Sequence, residues 1–146
     1  MATDSGSHFL CVANLVSGTI SAFIINSTSG SLSAIASYSA GTNPISVAVD
    51  KSGKHVYVAN FASSNVSAFS IDSTSGVLTQ ISGSPFGAGT MLVFAVVDAS
   101  GKFLCKDNQA SKIYRFSIDS SIASLTAISG SPYSLSSAPS SMSTME

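Results

Sequence analysis

Charge is what this sequence has least of. Asp, Glu, Lys and Arg make up 9% of the 146 residues, against about 25% in a typical soluble domain. Six basic and seven acidic residues are scattered singly and leave a net charge of −1. There is no basic stripe for nucleic acid and no polybasic patch for a membrane surface, so neither is expected as a partner. No apolar run approaches the roughly 18 residues of a membrane-spanning helix. Arginine occurs once, at Arg115, and glutamate once, at Glu146. The two cysteines, Cys11 and Cys105, form no Cys-x-x-Cys pair, which argues against a zinc site. No metal or cofactor is expected. The N-terminus lacks the basic and apolar segments of a signal peptide. The compartment stays open, with a Ser/Thr-rich composition leaning toward the cell exterior.

Serine takes the place of charge, at 34 of 146 positions, while apolar residues reach 45%. Disorder from low hydrophobicity and high net charge is therefore excluded. Laying the chain on itself shows three tandem copies with a period of about 47 residues, between those of WD40 and kelch blades. HFLCVANLVSGTISAFIINSTSGSLSAI (8–35) aligns with HVYVANFASSNVSAFSIDSTSGVLTQI (55–81) if one gap is allowed near the start. The third copy covers FLCKDNQASKIYRFSIDSSIASLTAI (103–128). Landmarks recur at Asn14, Asn60 and Asn108, and at Phe23, Phe69 and Phe116.

Each unit holds four β-rich runs, in the middle copy Pro44–Asp50, His55–Phe61, Asn65–Asp72 and Val77–Gly83. Turn chemistry separates them. Asp50 and Gly53, and Asp98 and Gly101, close the turn between first and second strands. Asn26 with Gly30, and Asp72 with Gly76, close the turn between third and fourth. The fourth runs end in Ser84-Pro85 and Ser131-Pro132, with proline tolerated on an outer edge. VAVD, YVAN and AFSI are nearly continuous apolar runs, as in strands buried on both faces between stacked sheets. The expected fold is all-β: a β-propeller segment of three four-stranded blades, the first lacking most of its inner strand. The repeats run over about 1–43, 44–91 and 92–137, and 138–146 is a candidate inner strand completing a first blade, its own or a partner's.

The run Tyr57-Val58-Ala59-Asn60 resembles the tyrosine–valine–threonine–asparagine (YVTN) signature of bacterial and archaeal propeller repeats. With VAVDKSGKHVYVAN, NVSAFSID and LTQISGSPF, the pattern is similar to the seven-bladed lactonase-like propellers, which include phosphogluconolactonase-like enzymes. The resemblance implies the fold over nearly the whole chain. It assigns no active-site residue here, because the matching positions are strand and turn positions.

The third copy departs most. Lys106-Asp107 replaces Val-Ala, one residue is lost before Phe116, and Ser121-Ile-Ala-Ser124 replaces the glycine turn. This blade is expected to be the least regular, or to put the Lys106 and Asp107 side chains at an edge or in the channel. Lys106, Asp107, Lys112 and Arg115 form the densest charge cluster and the first place to look for a functional patch. Cys11 and Cys105 share the repeat position of Tyr57; neighbouring blades sit about 10 Å apart, beyond disulfide reach. His8 and His55 read as repeat-equivalent surface residues at strand starts, and Asp4, Asp50 and Asp98 as turn caps rather than a carboxylate cluster. The favoured function is a non-enzymatic scaffold or binding module that completes a six-bladed ring as a homodimer, by exchange of the terminal strand. The alternative is a fragment of a seven-bladed lactonase-like propeller, a sugar-acid lactone hydrolase.

Overall fold

A computed structural model describes residues 1–90, 92–108 and 111–137, with only the backbone of 106–108. The expected strand at 138–146 lies outside the described residues. All the regular structure described is β-strand, and no helix is long and apolar enough to cross a membrane.

Three antiparallel sheets follow one another along the chain. The first contains β1 (Ala2–Thr3), β2 (Phe9–Asn14), β3 (Thr19–Ile25) and β4 (Leu32–Ser39), in that spatial order. The second runs β5 (Pro44–Val49), β6 (His55–Asn60), β7 (Asn65–Ile71) and β8 (Leu78–Gln80), with β9 (Phe86–Gly87) also pairing β7. The third repeats this order with β10 (Leu92–Val97), β11 (Phe103–Asn108), β12 (Lys112–Ile118) and β13 (Leu125–Ala127), and β14 (Tyr133–Ser134) also pairs β12. These are propeller blades, each a four-stranded meander built outward from its inner strand.

The outer strand differs from its expected form. In the second and third blades it is broken in two, with Ser84-Pro85 and Ser131-Pro132 in the connection between the halves. Ser84 Oγ accepts the Ala68 N–H at 2.9 Å, and Ser131 Oγ accepts the Arg115 N–H at 2.9 Å, so backbone donors at the break are still satisfied. The first blade lacks the Gly-Ser-Pro insertion, and its β4 runs unbroken for eight residues. The side chains of Lys106 and Asp107, where irregularity is expected, lie outside the described residues, but in strand order the third blade reproduces the second. Its lost residue is absorbed in the β11–β12 hairpin, where Asn108 pairs Lys112 while Asn60 pairs Asn65.

Stacking explains the apolar runs. In β6, Val56 to Asn60 are all buried, because the second blade has a neighbour on both faces. Its rear face (toward the first blade) packs Val56, Val58, Phe69, Ile71 and Leu78 on Phe9, Cys11, Ile20 and Ala22. Its front face packs Tyr57, Ala59, Val66 and Ala68 on Leu92, Ala95, Leu104 and Phe116 of the third blade. In the first blade β2 and β3 alternate instead over their first residues, since among the described residues only one of its faces is covered.

The signature asparagine ties one blade to the next. Asn60 is fully buried; its Nδ2 donates to Asn65 Oδ1 (2.8 Å) and Ser67 Oγ (2.9 Å). Its Oδ1 accepts the N–H of Gly41, in the connection arriving from the first blade, at 3.0 Å. Both the amide nitrogen and the carbonyl oxygen are thus bonded away from water.

Candidate functional site

Polar side chains gather where the turn between first and second strands of one blade meets the turns of the next. The turn geometry comes from the acid. Asp50 Oδ1 accepts the N–H groups of Lys54 (2.9 Å) and His55 (3.2 Å), while Oδ2 accepts Ser52 Oγ–H (2.8 Å). Asp98 repeats this with Lys102 N–H (3.0 Å) and Phe103 N–H (2.8 Å), and Asp4 with Phe9 N–H (2.7 Å). Gly53 and Gly101, both at φ +69°, turn the chain back below the acid. Asp72 and Asp119 cap the outer turns through Ser75 and Ser121, and Gly30 and Gly76 sit there at φ +70°. Ala123 takes the equivalent place in the third blade, at φ +55°.

Burial works against ionised Asp50, but hydrogen bonds from the His55 ring, Ser52 and two backbone N–H groups outweigh it and hold its pKa below 3.8. Asp98 is lowered in the same way: burial opposes, and Ser100 with the backbone N–H groups of Phe103, Ser100 and Lys102 prevails. Cys11 goes the other way, its thiol pushed up to about 11 by burial and then by Asp4.

The histidines correct the sequence alignment. Phe9, His55 and Phe103 each lie five residues after their turn acid and each donates its backbone N–H to that acid. No gap exists, and His8 is the counterpart of Lys54, not of His55. Both histidines nevertheless reach the same kind of partner. His55 Nδ1 lies 2.9 Å from Asp50 Oδ2, with its side chain 18% exposed, and His8 Nδ1 lies 3.3 Å from Asp4 Oδ2, with 69% exposed. His55 is thus not a surface residue. An Asp four or five residues before a His, across a turn that folds back, was the signal in the sequence.

Asp50, Lys54, His55, Ser100 and Asp119 line a cleft of about 410 Å³ between the second and third blades. A smaller cleft of about 270 Å³, with Asp4, His8 and Lys54, repeats it between the first and second. A carboxylate on one ring nitrogen fixes the imidazole as a base or acid is fixed in hydrolases. The turn at Asp98 is built without any histidine, so the acid's first task is to close the turn. Among the described residues no three His, Cys, Asp or Glu side chains converge on a metal-sized site.

The charge cluster read from the sequence is divided by strand geometry. Lys112 and Arg115 are three residues apart on β12 and so project to opposite faces. Arg115 lies on the front face of the third blade, its guanidinium carbon 4.1 Å from the Phe103 ring centroid. Lys106 and Asp107 are on β11, with their side chains outside the described residues. Cys11 and Cys105 are free thiols in the first and third blades.

Stacked four-stranded meanders joined from outer strand to inner strand define a β-propeller protein. Residues 2–95 match the model of the seven-bladed β-propeller lactonase family, and the chain belongs to that family. A candidate 6-phosphogluconolactonase from Bacteroides fragilis superposes with a TM-score of 0.85 at 23% identity, over 94% of this chain and 39% of that one. The periplasmic gluconolactonase of Pseudomonas aeruginosa gives 0.78 at 17% identity, over 90% and 39%. Hydrazine synthase of Kuenenia stuttgartiensis gives 0.63 at 17%, over 90% and 35%. The chain thus spans about two fifths of the length of the lactonase-like structures that it resembles. No curated protein sequence matches it. At such identities the likeness concerns the fold, which the hydrazine synthase shares under a different name.

Proposed function

We propose that the chain works as three consecutive blades of a lactonase-type ring, and that the ring hydrolyses a sugar-acid lactone. The observation that carries this reading is the family match over residues 2–95. Gluconolactone is the substrate class suggested by the Pseudomonas relative. In such a reaction water adds to the lactone carbonyl, the ring C–O bond breaks, and the leaving oxygen takes a proton to give the open hydroxy acid. A base is needed for the water and donors for the oxyanion. His55, fixed by Asp50 in the larger cleft, is the described group best placed to move that proton.

The test is pH-stat hydrolysis of δ-gluconolactone and its 6-phosphate by the full chain, beside buffer alone and the His55→Gln variant. Acceleration by the chain supports the reading, and rates equal to buffer with both substrates overturn it. Acceleration that persists in His55→Gln keeps the lactonase and removes His55 from the chemistry.

A non-enzymatic module that self-associates is the second reading. One observation favours it: both oxygens of Asp50 already accept hydrogen bonds within the turn. A two-copy ring would set the front of one third blade against the rear of the other copy's first blade.

A further inference from the structure

The two end faces of the three-blade stack are not alike. The rear face of the first blade carries Leu10, Val12, Phe23, Ile25 and Leu32, paired across β2, β3 and β4. They occupy the positions of Val56, Val58, Phe69, Ile71 and Leu78 on the second blade, which the first blade covers completely or nearly so. Here the same positions are half-buried or, at Leu32, 51% exposed. Ser21 and Ser37, joined by a 2.7 Å hydrogen bond, and Asn14 lie among them, so the strand positions described on this face hold no ionisable side chain.

The front face of the third blade departs from this scheme at two places. Register makes Ala22, Ala68 and Arg115 equivalent, each opposite Cys11, Tyr57 or Cys105. It likewise makes Ala13, Ala59 and Asp107 equivalent, opposite Ile20, Val66 and Ile113. In the first two blades the Ala22/Ala68 position is a buried small residue under the next blade, Ala22 at 1% exposure and Ala68 at 0%. The third blade puts a guanidinium where its predecessors have a methyl group. A guanidinium carries five N–H donors, and a face like that of the first blade's rear would strip them of water with only hydroxyl and amide groups in exchange.

We infer that Arg115 reserves the front of the third blade for a blade of different sequence. That partner face brings hydrogen-bond acceptors, a carboxylate first among them, to the guanidinium. The same substitution keeps the two end faces of this chain from packing on each other. This concerns blade order alone and holds whether or not the ring hydrolyses lactones.

Sedimentation equilibrium on the full chain tests it. Asp107→Ala with Arg115→Ala restores the alanine pair of the second blade and is expected to tighten self-association at least tenfold. Adding Val12→Lys to that variant abolishes the gain, because it charges the opposing face. Asp107→Asn with Arg115→Met, which keeps bulk and removes charge, shows the same gain and guards against a folding failure of the alanine variant. Val12→Asp alone, which gives the rear face a carboxylate for the native Arg115, also strengthens association, and Arg115→Met removes that effect. Unchanged or weaker association in both neutral variants overturns the inference, as does a gain that survives Val12→Lys. Failure of Val12→Asp to strengthen association overturns the carboxylate preference.

Discussion

Positions 30, 76 and 123 are the same place in three copies of one turn, and they differ in what surrounds them. All three lie in the left-handed region, at φ +70°, +70° and +55°. An L side chain there costs about 1 kcal/mol in backbone conformation alone. A Cβ added at Gly30 would meet nothing within 4 Å. One added at Gly76 would stand 2.6 Å from Ile35 Cδ1 and from the ring of Phe9, both on the first blade. Gly30→Ala therefore has only the conformational cost, about 1 kcal/mol. Gly76→Ala adds overpacking of about 1–3 kcal/mol, because its methyl is a wedge in the contact between two blades. At about 3 °C per kcal/mol for a chain of this size, melting should fall by about 3 °C in the first and by about 6–12 °C in the second. The third blade supplies the reverse experiment. Ala123 is fully buried and its carbonyl accepts the Tyr57 hydroxyl at 3.3 Å. Ala123→Gly relieves about 1 kcal/mol of backbone cost but removes a buried methyl worth about 0.8 kcal/mol, so its melting temperature should hardly move. Circular dichroism melts and urea titrations of the three variants measure this directly. If Gly76→Ala costs no more than Gly30→Ala, the first and second blades do not touch at that turn, and the stacking drawn from it is refuted.

Acid should destabilise the fold through its turn caps: Asp50, Asp72, Asp98 and Asp119 all have folded pKa values below the ordinary value. A depressed folded pKa gives stability that is fully present above the unfolded value, near 3.9, and is lost as pH falls through the folded one. Melts should thus be flat above about pH 5 and drop steeply below about pH 4, and Asp50→Asn should flatten that drop. Asn60→Ala should cost about 2–4 kcal/mol by urea unfolding, since it strands the Gly41 N–H and the Ser67 and Asn65 partners. Asn14→Ala should cost less, because its amide bonds only Thr19 and Ser21 at a half-exposed site. A thiol reagent at neutral pH should label half-exposed Cys105 before buried Cys11, whose thiol is raised to about 11; equal rates in the folded protein would contradict the burial of Cys11.

Much of this fold was legible in the sequence because a propeller repeats local requirements. Asp50 and Gly53 are needed wherever that turn is built, and Val56 to Asn60 must be apolar or self-satisfied wherever a blade lies between two others. What escaped depended on register or on distance. His8 and His55 looked equivalent because identical letters invited a gap, while the backbone counts five residues from each acid. Each outer strand looks like a single run in the sequence, because Gly-Ser-Pro gives no sign that β8 and β9 pair the same neighbour. Charges close in sequence suggest one patch, but a strand sends Lys112 and Arg115 to opposite sides.

Equivalence under the repeat also separates structure from function in the polar residues. A side chain present in every copy at one backbone position, such as Asp4, Asp50 and Asp98, is accounted for by the turn it closes. A side chain that replaces the repeat residue needs another cause. His55 takes the place of Phe9 and Phe103, and Arg115 that of Ala22 and Ala68. The first sits in a cleft beside a fixed carboxylate, and the second on a face that a neighbouring blade would cover. Neither substitution improves apolar burial, since a phenyl ring or a methyl group serves those positions in the other copies. On the two readings proposed above, their chemistry answers to something outside the individual blade: a reacting molecule for His55, and the identity of the next blade for Arg115.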